Sequence, residues 1–333
     1  MLQYLVILLD NTSTSYCHYE NGETANRLMP IEVLKQGIFF SMKENLMIQY
    51  VLPEYELPAD YKEIMNSIDY HLIVPSTCAD ANALEAADVI VFNSIKDICV
   101  EKLDKDTIYA LRASKAELFE NSVLVTQIIG KVAKLSVTIT DVDSFNDADF
   151  KTYEVVLKDF AKEIEKLYVE GKAPQLNILT DRMMLKEMNN CGAGDTNITL
   201  APDGKFYICP AFYLGGVCDG TEKSLGDECQ KGYSIGSLED GLDIKNKQLY
   251  KLEYAPLCRN CDAYQCKRCV WLNRKTTLEV NTPSHEQCVM AHIERNVSRE
   301  LLANIRKHGT FLPEFEEIKE IDYLDPFDVR KEW

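Results

Sequence analysis

With 333 residues, 46% of them hydrophobic and 27% charged, the chain can bury one large core or two smaller ones and has an ordinary globular make-up. Its formal net charge of −17 offers no basic footprint, which argues against nucleic acid and anionic membranes as partners. No apolar run approaches the roughly 20 residues that a bilayer-spanning helix needs.

The run Tyr4–Leu9 is apolar but short, has no basic segment before it and ends at Asp10, so it reads as a first β-strand and not as a signal peptide. This predicts a cytoplasmic protein, in which thiols stay reduced and twelve cysteines point to metal before disulfides. Further strands are predicted at Leu46–Leu52, Tyr70–Val74, Asp88–Phe92, Thr107–Leu111, Leu135–Thr140 and Gln175–Thr180. Their nearly continuous apolar character suits a parallel sheet buried on both faces. Between them the period becomes helical. Ile31, Leu34, Ile38 and Met42 recur after Pro30, and Tyr153, Val156, Leu157, Phe160, Ile164, Leu167 and Tyr168 form a wide stripe closed by Gly171. Residues 76–87 leave room only for an irregular crossover. This alternation predicts an α/β fold of βα units, either a complete or partial barrel or a doubly wound sheet.

Beyond about residue 190 the sequence is turn-rich and weakly periodic, and every cysteine except Cys17, Cys78 and Cys99 lies there. A hairpin is expected over Thr196–Tyr213, turning at Pro202-Asp203-Gly204. A helix is expected from about Ser284 to Lys307, opened by Ser284 with Gln287 and followed by Gly309. The expected domains are residues 1–188, residues 189–310, and an acidic tail at 311–333.

The chemistry is carried by Cys258-x2-Cys261-x4-Cys266-x2-Cys269. Zinc ribbons separate their two Cys-x2-Cys pairs by about 15–20 residues, so that each knuckle forms and faces the other. The four residues Asp262 to Gln265 leave little room to wrap one ion. Two sites sharing the run is the more natural reading, as in bacterial ferredoxins. Remote thiolates are available at Cys191, at Cys209 and at Cys288, the last in a helical first turn where a thiolate is favoured. A buried lone cysteine is usually a small hydrophobe. This group lies in sequence with no core to hide it, although an all-thiolate set also suits structural zinc.

The order Cys191-x12-Gly204-x4-Cys209, then Cys258-x2-Cys261-x4-Cys266-x2-Cys269, then Cys288 resembles the seven-cysteine SPASM module of radical-SAM peptide-modifying enzymes, with one residue fewer in each of two spacers. The resemblance implies a partial or complete parallel (β/α) barrel followed by a small cysteine-rich domain with a hairpin and a helix. It also implies two [4Fe–4S] clusters, one on Cys191, Cys209 and Cys269, the other on Cys258, Cys261, Cys266 and Cys288. Cys218 or Cys229 would close the first cluster, or its fourth position would stay open.

In radical-SAM enzymes the first strand leads into Cys-x3-Cys-x2-Cys, which holds the cluster that binds S-adenosylmethionine. Here Asp10, Thr14 and Cys17 occupy those positions, and Leu52-Pro53-Glu54-Tyr55-Glu56 stands where the family has Gly-Gly-Glu-Pro. One cysteine cannot hold that cluster, so no reductive cleavage of S-adenosylmethionine is expected. Cys17 and His18 are adjacent in extended sequence and point apart, which argues against a nucleophile pair. Cys78 and Cys99 read as core or loop thiols, and Asp141, Asp143 and Asp181 as solvated loop carboxylates.

The degenerate first loop, the cysteine pattern and the segment His292-Ile293-Glu294-Arg295-Asn296 together resemble the CXXX-repeat peptide maturase family over nearly the whole chain. That resemblance implies an accessory role in the maturation of ribosomally made peptides, with an active radical-SAM companion enzyme and a cysteine-repeat precursor peptide as partners. A stand-alone maturase with an open iron site and a zinc-stabilised scaffold are the alternatives.

Overall fold

Apolar runs between polar turns become parallel strands in the computed structural model of the chain, which describes residues 2–14, 16–18, 26–215 and 233–312. Cys218, Cys229 and all but the first two residues of the expected tail lie outside the described residues. The fold is α/β with a large parallel sheet, and its described residues divide into two units. One takes Met1–Phe92 and Gly192–Tyr254, the other Asn93–Cys191 and Ala255–Trp333, so each unit draws on both the βα run and the cysteine-rich part.

In the first unit β1 (Tyr4–Leu8) is the central strand. It pairs in parallel with β2 (Met47–Val51) on one side and β8 (Asn197–Leu200) on the other. Leu5, Ile7 and Leu8 are wholly buried, as a strand flanked on both edges requires. From β2 the sheet continues in parallel through β3 (Tyr70–Pro75) to β4 (Val89–Phe92). Beyond β8 it continues antiparallel through β9 (Lys205–Tyr207) and β10 (Ser234–Ser237) to β11 (Gly241–Leu242).

The β8–β9 turn falls at the expected place. Gly204 adopts φ +77, and Asp203 accepts the backbone N–H of Lys205. The second strand ends earlier than the sequence suggested, because Pro210 opens α8 (Pro210–Leu214) directly after Cys209. Helix α1 (Ile31–Glu44) lies so close to β8 that a Cβ on Gly37 would stand 2.4 Å from Leu200 Cδ2. Two short helices, α2 (Ala59–Met65) and α3 (Ala81–Glu85), make the remaining crossovers, the latter capped by Asp80.

In the second unit β5 (Ile108–Ala113), β6 (Lys134–Ile139) and β7 (Gln175–Leu176) are parallel neighbours. Helices α4 (Lys115–Glu120) and α5 (Ser122–Ile129) join the first two strands. Strand β7 is much shorter than the predicted Gln175–Thr180. The Thr180 hydroxyl exchanges hydrogen bonds with both backbone groups of Leu176 and starts α7 (Thr180–Met184).

The long α6 (Asp147–Val169) opens on a reciprocal Asn146–Asp149 capping box and buries the whole stripe from Tyr153 to Tyr168; Gly171 follows it at φ +79. It packs against α10 (His285–Lys307), whose N-cap Ser284 accepts the N–H of Gln287. Helix α9 (Val270–Thr277) begins at the last cysteine of the run. Each fully buried Leu, Ile or Phe along this α6–α10 seam contributes on the order of 1.5–3 kcal/mol.

Candidate metal centre

The run Cys258–Cys269 lies in the second unit as a chain of tight turns. Cys261 N–H donates to the Cys258 carbonyl and Cys266 N–H to that of Ala263. Three further N–H groups donate to sulfur: Ala263 to Cys261 Sγ at 3.4 Å, Arg268 to Cys266 Sγ at 3.4 Å and Leu272 to Cys269 Sγ at 3.5 Å. The second of these needs Arg268 at φ +45, a conformation non-glycine residues rarely adopt. Hydrogen bonds of this kind favour the charged sulfur over the thiol.

Cys191 is drawn to the same run through the backbone. Asn189 N–H donates to the Tyr264 carbonyl and Cys191 N–H to that of Lys267. Cys288 lies in the first turn of α10, half-buried. Cys209 belongs to the other unit, where it ends the hairpin and caps α8, nearly buried. Cys78 is a core thiol and Cys99 an exposed loop thiol.

One stretch of α10 addresses the turn residue by residue. Arg295 Nη1 donates to Asp262 Oδ1 at 2.9 Å, while Arg182 from α7 donates to Asp262 Oδ2 at 3.0 Å and to its carbonyl at 3.1 Å. Gln265 Nε2 donates to the Ala291 carbonyl at 2.7 Å and to Glu294 Oε2 at 3.1 Å; Tyr153 of α6 donates to Glu294 Oε1 at 2.7 Å. His292 Nε2 stands 3.6 Å from Cys261 Sγ. His292 was missed as a site residue, although its position one turn after Cys288 on a predicted helix was a usable signal.

Arg182, Arg268 and Arg295 are all nearly or fully buried, against Asp262 and Glu294 alone among neighbouring buried carboxyls. Burial pushes the Glu294 carboxyl up to about 7 despite its two donors. Arg182 Nη1 is buried with no hydrogen-bond acceptor among the described residues.

Burial, then neighbouring Cys261, pushes the Cys258 thiol up to about 11, with Arg268 pulling the other way. Burial raises Cys266 further, and Cys258 and Cys261 add to it. Among the described residues no three His, Cys, Asp or Glu side chains are gathered as one ion requires.

The loop after β1 is built differently. Asp10 is wholly buried; its Oδ1 accepts the N–H and hydroxyl of Thr12 at 2.8 and 2.6 Å, and its Oδ2 accepts the Tyr55 hydroxyl at 2.9 Å. Ser13 donates to the Val51 carbonyl and accepts Asp10 N–H. Tyr213 donates to Asn11 Oδ1 at 2.5 Å. Burial and the Asp10 carboxylate hold the Tyr55 phenol well above its ordinary range. The carboxylates Asp141, Asp143 and Asp181 answer Lys115 N–H, the Lys275 ammonium and the Lys267 ammonium, which are structural partners.

No family model and no curated protein matches the chain. Solved structures do. The anaerobic sulfatase-maturating enzyme anSMEcpe with bound AdoMet aligns at TM-score 0.58 and 12% identity, over 92% of this chain and 99% of that one. The same enzyme with AdoMet and the Cp18Cys peptide aligns at TM-score 0.57 and 11% identity, over 92% and 100%. With the Kp18Cys peptide the figures are 0.57 and 12%, over 91% and 99%. At this identity the likeness shows the fold: the chain folds like a radical-SAM maturating enzyme. Among the described residues no helix is long and apolar enough to cross a membrane.

Proposed function

We propose that the chain is an accessory component of ribosomal peptide maturation, a radical-SAM-like protein that does not cleave S-adenosylmethionine and that binds a precursor peptide, an active radical-SAM partner, or both. The observation that carries this reading is the Tyr55–Asp10 hydrogen bond. One side chain from each of the two segments that would form the cofactor cradle satisfies the other, where thiolates and a glycine turn would be needed. The bound peptide in a structural neighbour supports a peptide ligand.

In the same reading two [4Fe–4S] clusters organise the cysteine-rich part. Cys258, Cys261, Cys266 and Cys288 hold one; Cys191, Cys209 and Cys269 hold the other, with Cys218, Cys229 or an open position completing it. When bound, the clusters supply electron relay and a fixed peptide-facing surface. The chain's own residues set the cysteine turn through Asp262 and donate N–H groups to its sulfurs. Domains at 1–188, 189–310 and 311–333 and a cytoplasmic location belong to the same proposal.

The test is anaerobic purification with iron and sulfide assay, then incubation with S-adenosylmethionine and dithionite. Eight irons and eight sulfides per chain, without 5′-deoxyadenosine, are expected for two such clusters. Release of 5′-deoxyadenosine overturns the accessory role. Stoichiometric zinc in an iron-free, folded protein overturns the clusters and leaves a scaffold. Persistence of a complex with the companion enzyme through gel filtration checks the partner.

A further inference from the structure

We infer that His292 is a positioning residue of the metal centre, its Nε2–H donating a hydrogen bond to the Cys261 thiolate and thereby raising the reduction potential of the cluster that Cys261 holds. The inference rests on the cluster reading above and adds a residue that the cysteine pattern does not contain.

The geometry comes from the register of α10 on the cysteine turn. Ala291, His292, Glu294 and Arg295 face Gln265, Cys261, Gln265 and Asp262 respectively, so His292 belongs to a set of matched contacts. The contact of 3.6 Å is long for nitrogen and oxygen, but the larger sulfur lengthens a normal donor–acceptor separation. In the metal-free chain either atom can carry the proton. Once Cys261 ligates a metal it is a thiolate and can only accept, which fixes the proton on Nε2 and makes the imidazole the donor.

A core histidine with no role is the competing reading. It does not account for an imidazole nitrogen directed at a sulfur whose second donor is the Ala263 N–H. Both donors drain charge from the same sulfur. Potentials of iron–sulfur clusters rise with hydrogen bonds to their sulfurs, and ligand-orienting partners of this type tune metal sites.

The test uses the anaerobically prepared full chain and redox titration followed by electron paramagnetic resonance. H292L is expected to keep full iron and sulfide and to lower the potential of one cluster while leaving the other unmoved. H292Q, which returns an N–H donor, is expected to move it back toward wild type. Should H292L fail to fold, H292Q and hyperfine spectroscopy on wild type with labelled histidine ring nitrogens decide: a weak coupling through a hydrogen bond is expected.

An unmoved potential in an iron-replete H292L overturns the inference and leaves the cluster reading standing. Loss of one cluster's iron in both variants, or a coupling as strong as direct ligation, overturns the donor role in favour of a ligand. Iron-free wild type overturns the cluster reading, and this inference with it.

Discussion

The loop after β1 and the turn Cys258–Cys269 are both short, polar and largely buried, yet their hydrogen bonds end in opposite ways. In the loop, Asp10, Ser13 and Asn11 find their partners in Thr12, Tyr55, Val51 and Tyr213, so the network closes on itself. In the turn, backbone N–H groups converge on sulfur, burial and neighbouring Cys261 push the Cys258 thiol up, and Arg182, Arg268 and Arg295 are buried beside Asp262 and Glu294. A segment whose polar groups all pair internally is complete as it stands. The turn instead directs its N–H groups at cysteine sulfur. The difference separates a loop whose side chains are met by protein from the turn to which the proposed function assigns a metal.

Asp262→Ala attacks the turn at its firmest point. It leaves Arg182 and Arg295 facing each other without their shared carboxylate, and removing one member of a buried ion group costs roughly 3–5 kcal/mol. Denaturant unfolding should show that loss, and iron retention during anaerobic purification should fall with it. Near-wild-type stability would mean that the turn is held by the metal alone. Tyr55→Phe makes the matching cut in the loop, stranding Asp10 Oδ2 for about 1–3 kcal/mol. Iron content should not change, because nothing in that loop is proposed to hold iron. Iron loss in Tyr55→Phe would erase the contrast.

Glu294→Gln separates the charge of the seam from its shape. The Glu294 carboxyl sits at about 7 in the folded chain, raised from 4.5 chiefly by burial. The folded state therefore holds its proton more tightly than the unfolded chain. Stability is fully present below about pH 4.5, falls as pH rises and levels off above about 7. Thermal unfolding across that window should slope downward in wild type and flatten in Glu294→Gln, with Tyr153 and Gln265 retaining a polar partner. An unchanged slope would place the titration elsewhere.

Much of the architecture was legible because it is written locally. The Tyr153–Tyr168 stripe has one period and one cap, Ser284 and Gln287 open a helix by themselves, and Pro202-Asp203-Gly204 can only turn. Thr180 misled, since its hydroxyl ends β7 by bonding the backbone of Leu176, and side-chain competition with a strand ladder leaves no periodic trace. The cysteines stood out by spacing as candidate ligands, whereas the contacts around them left no such mark. Asp262 read as a spacer residue because its partners, Arg182 and Arg295, lie 80 and 33 residues away in sequence. Pairings at that range are decided by packing, which a single chain of letters does not display.

The smallest expected effect sharpens the contrast in pH. Asp80 caps α3 and pairs with Lys62 at 2.7 Å, and that ammonium, assisted by the N–H groups of Ala83 and Asn82, holds its carboxyl below the ordinary range. Here the unfolded chain binds the proton more tightly, so the contribution is present above about pH 3.8 and disappears as pH falls. The sign is opposite to that of Glu294. Asp80→Ala should cost about 1 kcal/mol at neutral pH, the usual worth of a helix cap, and less as pH falls below about 3.8. Comparing Asp80→Ala with Glu294→Gln by thermal unfolding from pH 3 to 8 therefore gives two curves that leave wild type in opposite directions as pH rises, Asp80→Ala falling below it and Glu294→Gln rising above it. Curves leaving wild type in the same direction would show that one of the two carboxyls is not in this environment.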